Sequence, residues 1–118
     1  PLQALLLMNE EQQFTGAMNY AKTLLDRSDL TDEQRIQLAY ESITSQVPDE
    51  PTTSQLRSAR EEFLNLYTDD RPAAQAMVAS CKIPGIGSIS DSDQQVQLAS
   101  WTMLVHSLLN LDVTKTRE

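Results

Sequence analysis

His106 is the only histidine among 118 residues, and a single imidazole could act as an acid–base group or as a haem ligand. It stands between Val105 and Ser107 on the most apolar segment of the chain, where packing is a histidine's commoner role. Cys81 is the only cysteine. It can form no intramolecular disulfide, C-x-x-C motif or cysteine-based zinc site, and as a nucleophile it would need a base that nothing local supplies. A buried structural thiol is the simpler expectation. Asp91-Ser92-Asp93 offers oxygens for calcium, but the spaced ligands and closing glutamate of an EF-hand are missing, which leaves helix capping. Gly85-Ile86-Gly87 has two glycines of a dinucleotide fingerprint without the third glycine or the preceding strand. Glu61-Glu62 and Asp69-Asp70 are adjacent pairs. On a helix such carboxylates point about 100° apart and cannot jointly flank a substrate bond. Met8, Met18, Met77 and Met103 fall in core-like patterns. These residues therefore predict no catalytic, cofactor-binding or metal-binding set. Trp101 is the one large aromatic able to anchor a partner, although a lone tryptophan on an apolar helix is ordinarily a core residue.

The elements that must position these residues are helical. No segment shows sustained period-two alternation, and the apolar residues recur at helical spacing. The expected fold class is all-α, a compact bundle of about five helices. Leu2 to Met8 suggests a short apolar helix or turn, and Asn9 can cap a helix carrying Phe14, Ala17, Met18, Ala21, Leu24 and Leu25 on one face. Thr31 and Gln34 form a T-x-x-Q capping box ahead of Ile36, Ala39, Tyr40, Ile43 and Val47. Pro48 and Pro51 predict a connector. Thr52 and Gln55 repeat the capping spacing before Leu56, Ala59, Phe63, Leu66 and Tyr67, a third expected stripe. Asp69 and Asp70 precede Pro72, which suits a first helical turn, and Ala73, Ala76, Met77 and Cys81 follow. After the loop "PGIGSISDSD", Ser92 and Gln95 show the spacing once more. The last helix carries Trp101, Leu104, Val105, Leu108 and Leu111, with Leu98, Met103 and Leu109 widening its apolar surface. A helix apolar over so much of its circumference is either central or packed on something else. The recurring T-x-x-Q is shared capping chemistry, because its flanks do not repeat.

Length and charge set the outer bounds. A chain of 118 residues suits one domain spanning 1–118. Acidic residues outnumber basic ones 17 to 9, for a net charge of -8, and the basic residues form no stripe. Nucleic acid and anionic membrane surfaces are therefore poor partners. The longest unbroken apolar run, Ala4 to Met8, is far below the roughly 20 residues of a membrane span, so no membrane insertion is expected. Pro1 opens the chain with neither a basic leader nor a cleavage pattern, so a C-terminal fragment of a longer multidomain protein is expected.

The opening "PLQALLLMNE", the middle "RIQLAYESIT" with "EPTTSQL", and the ending "WTMLVHSLLNLDVTKTRE" together resemble one family. It is the C-terminal domain of unknown function of large secreted planctomycete proteins, many with a cytochrome c-like region and a second planctomycete-specific domain upstream. The likeness is collinear over the chain and is anchored at Pro1-Leu2-Gln3-Ala4-Leu5 and Leu108-Leu109-Asn110-Leu111-Asp112. The chain departs from it at "ITSQVPDEP", which lacks a common glycine-arginine before the proline, and at Glu10, where an aspartate-proline pair is common.

The resemblance implies an exported parent, periplasmic or extracellular, with haem c in that parent and none bound by this fragment. It also implies upstream domains of the same polypeptide as partners. It carries no catalytic residue onto these positions. The expected function is a non-catalytic structural or interaction module. The alternative is the C-terminal part of an enzyme, polysaccharide-related or electron-transferring, with its active site upstream.

Overall fold

The computed structural model describes residues 10–117 as five α-helices, with no strand among them: α1 (Glu10–Asp26), α2 (Asp32–Thr44), α3 (Glu50–Asp69), α4 (Arg71–Ala79) and α5 (Ser92–Arg117). The all-α bundle expected from periodicity is the observed architecture. The expected Leu2 to Met8 element and the Asn9 cap lie outside the described residues.

α5 is the centre of the bundle. Its 26 residues extend about 39 Å at the usual helical rise, and α1, α2, α3 and α4 all pack against it. Ala99, Ser100, Trp101 and Thr102 are consecutive and each has 0% of its surface exposed. Four successive residues point in four directions around a helix, so neighbours must surround this turn. The two hydroxyls in it are satisfied locally, because Ser100 donates to the Val96 carbonyl and Thr102 to the Leu98 carbonyl, both at 2.7 Å. Back-bonding of this kind lets serine and threonine sit inside a core helix without an orphaned donor.

α1 supplies Ala17, Met18, Ala21 and Leu24 to the same core, with Phe14 and Leu25 at its margin. α2 adds Ile36, Ala39 and Tyr40. Val47, placed on that stripe by its spacing, is 79% exposed because the helix ends at Thr44 and Ser45 turns left-handed at φ 60°. Leu66 is likewise exposed where α3 was expected to bury it, and Leu111 of α5 is half exposed. In α4 the buried positions are Ala74 and Val78, with Ala73 and Met77 partly covered. Ala76 faces out, and Cys81 lies just past the helix end. Tyr67, Ala74, Val96 and Ala99 form a second cluster where α3 and α4 meet the first turns of α5.

The helix starts are chemically explicit. Thr31 and Gln34 close a reciprocal capping box on α2. The same spacing misleads at the other two places. α3 is capped by Asp49, whose carboxylate accepts the Thr52 N–H at 2.9 Å, and Pro51 lies inside the first turn, where its missing N–H costs nothing. Thr52 is therefore helical and no cap. α5 is capped by Asp91, which accepts the Gln94 N–H at 2.9 Å, while Gln95 turns away to donate to the Ile89 carbonyl at 2.9 Å. Asp70 caps α4 through the Ala73 N–H.

The α4–α5 loop is packed onto the bundle by Ile86, which is 3% exposed, with Ile83 and Ile89 alongside. Gly85 takes φ 88° there, and a Cβ on Gly87 would lie 2.5 Å from the Cys81 carbonyl oxygen. Only glycine permits that approach.

Candidate functional site

The densest polar constellation lies where α2, α3 and α5 meet over Trp101. Arg60, from the middle of α3, lays its guanidinium over the indole with its central carbon 5.2 Å from the ring centroid, a cation–π geometry. The same guanidinium donates to Gln97 Oε1 of α5 at 3.0 Å and lies 3.2 Å from Asp32 Oδ2 of α2. Asp32 is shared: its other oxygen accepts from Arg35 Nη1 at 2.8 Å. Arg35 in turn donates to the Leu24 carbonyl at 2.8 Å and to the Arg27 carbonyl at 2.7 Å, closing the C-terminal end of α1. Cationic donors suit those unsatisfied last carbonyls. Only 13% and 14% of the Arg35 and Arg60 side chains are exposed, against 48% for Asp32. Two nearly buried cations thus depend on one carboxylate at the surface.

Glu33 and Arg57 pair across the outside of the same junction. A groove of about 230 Å³ runs between α2 and α3, lined by Asp32, Glu33, Ile36, Arg57, Arg60 and Glu61. Arg60 Nε and Trp101 Nε1 are buried with no hydrogen-bond acceptor among the described residues. Trp101, the candidate partner contact, is 0% exposed. In this arrangement it is a core ring roofed by Arg60, so a partner could reach it only after the junction opened.

The other sequence candidates are dispersed. His106 is half-buried, with its ring 5.4 Å from that of Phe14, Nδ1 3.4 Å from the Asn110 amide nitrogen, and Nε2 buried with no partner among the described residues. Cys81 is half-buried, its backbone N–H bonded to the Val78 carbonyl. Ser92 and Asp93 both accept from Arg71, at 2.7 and 2.9 Å, which fastens the start of α4 to the start of α5. Asp93 also borders a second groove, about 340 Å³, which Leu25, Ile89 and Leu98 line together with the Lys22–Asp26 ion pair. Among the described residues, no three His, Cys, Asp or Glu side chains gather as a metal site would require. No helix among them is long and apolar enough to cross a membrane.

Electrostatic perturbations mark architecture. The bidentate Arg27–Asp29 pair, at 2.8 and 2.9 Å, holds the Asp29 carboxyl down at about 2. The Thr52 hydroxyl and N–H hold Asp49 below the usual carboxylate range. Burial, helped by the nearby Asp70 charge, raises Tyr67. The Asp29 pair closes a turn, Asp49 caps a helix and Tyr67 packs a core.

Periodicity could place Trp101 and Ile36, but nothing local announced that Arg60, 41 positions before Trp101, would lie on its ring. The available signal was the oddity of an arginine at a position adjoining Ala59 and Phe63 on an inward face. Comparison of the chain with protein-family models, with curated proteins and with solved structures finds no match.

Proposed function

We propose that this chain is a helical structural module of an exported planctomycete protein with a cytochrome c-like region, supporting or docking the other domains of its own polypeptide. The observation that carries the structural role is how the charged side chains are used. Arg35 closes α1, Arg60 joins α2, α3 and α5, Arg71 joins α4 to α5, and Asp49, Asp70 and Asp91 cap helices. Groups engaged in this way hold helices in place and are poorly placed to exchange protons with a substrate. The planctomycete origin, export and haem-bearing neighbours rest on the resemblance of the two ends and the middle of the sequence.

Light scattering on this chain alone, and mixed with the separately expressed upstream part of its parent, tests the docking role. A stable one-to-one complex is the expected result. Two independently folded species with no association would overturn docking in cis, and hydrolytic or electron-transfer activity in the isolated chain would overturn the non-catalytic reading.

A further inference from the structure

The geometry points to α2 as a detachable lid: a helix that opens ahead of the rest of the bundle, latched by Asp32, whose release uncovers Trp101. This inference does not depend on the identity of a parent protein. Of the four helices around α5, α2 packs on it least, and its other substantial neighbour is α3 alone. Its buried apolar residues are Ile36, Ala39 and Tyr40, against Ala17, Met18, Ala21 and Leu24 of α1; α3 and α4 bury fewer, but both pack more extensively on α5. Exposed connecting residues lie on both sides of it, from Arg27 to Asp29 and from Ser45 to Val47. Elements with few buried contacts are those that open locally at less than the global cost.

What offsets this thin packing is charge. Asp32 faces Arg35 on its own helix and Arg60 on α3, and the surrounding charged groups are Glu33, Arg57 and Glu61. Arg35 reaches the α1 carbonyls, and Arg60 links Asp32 to Gln97 and the Trp101 ring of α5, so one side chain orients the two largely buried ties of α2, with the exposed Glu33–Arg57 pair outside them. Withdrawing Asp32 frees Arg60 to leave the indole, which is the only tryptophan in the chain.

Amide hydrogen exchange and acrylamide quenching of Trp101 test the lid, using Asp32→Asn against Glu33→Gln. Both variants remove one negative charge from the first turn of α2, so loss of the helix-dipole interaction is common to them. Only Asp32→Asn removes the carboxylate shared by the two buried arginines. In the wild-type chain, amides of Asp32–Thr44 should exchange ahead of those in α1 and the buried part of α5. Asp32→Asn should speed the α2 amides by about tenfold, as for loss of a charged hydrogen bond, and raise Trp101 quenching, with Glu33→Gln close to wild type. Equal protection of α2 and α5 in the wild-type chain would overturn the proposal. So would equal acceleration of every helix by Asp32→Asn, or the same effect from both variants.

Discussion

The α1–α5 seam and the α2–α3–α5 junction are held by different physics. Along the seam, Met18, Leu24, Leu104 and Leu108 are each about 1% exposed, and the Ser100 and Thr102 hydroxyls within α5 donate to its own carbonyls. At the junction, two largely buried arginines share one half-exposed carboxylate. Apolar burial is insensitive to salt and to the exact position of a partner. A charged junction depends on geometry, on screening and on the retention of every member. The same bundle thus has one side that resists local change and one that can be unlatched.

The largest effect should come from breaking the seam. Leu108→Ala should cost roughly 2 to 5 kcal/mol of unfolding free energy, measured by urea denaturation; a loss under about half a kcal/mol would mean that Leu108 is not core. Gly87→Ala extends the test to the packed loop, where a methyl group would meet the Cys81 carbonyl. A loss of about 1 to 3 kcal/mol is expected for such overpacking, and a neutral result would show that the loop shifts freely. Asp49→Ala removes the α3 cap and should cost about 1 kcal/mol, visible as a lower melting temperature, whereas Thr52→Ala should leave the cap intact.

The smallest effects are those of pH. Asp29 titrates at about 2 in the folded chain, below its ordinary value near 3.9. Its contribution is therefore present above about pH 4 and is lost as pH falls toward 2. Tyr67 is shifted upward, so burial of its neutral form stabilises the fold below pH 10, and that contribution is lost as pH rises through the raised value. Asp29→Asn should flatten the acid limb of a stability profile, and Tyr67→Phe the alkaline limb.

The seam was legible in the sequence because helical spacing alone identifies its residues: Ala17, Met18, Ala21 and Leu24 recur on one face of α1, as do Trp101, Leu104, Val105 and Leu108 on α5. The same periodicity overran its range at Val47, which lies past the end of its own helix, and at Leu66 and Leu111, which spacing placed inward but the structure leaves exposed. Capping was half legible. T-x-x-Q describes a box that can form, yet it cannot rank Thr52 against Asp49 or Ser92 against Asp91, and in both cases the aspartate just upstream takes the N–H. The junction was the least legible part. Its pairs join Asp32 to Arg60 and Arg60 to Gln97 and Trp101 across separate helices, and no local pattern encodes which charged residue of an exposed-looking helix will be folded inward. Trp101 was identified for its size, but its environment is set by Arg60.

Unfolding free energies of the wild-type chain, Leu108→Ala and Asp32→Asn, measured by urea titration from low to high sodium chloride, test the contrast between the two regions most directly. The deficit of Leu108→Ala should stay constant across the series, while that of Asp32→Asn should shrink as salt screens the half-exposed carboxylate from its two arginines. Two deficits with the same salt dependence would contradict the account, because seam and junction would then be held by the same forces.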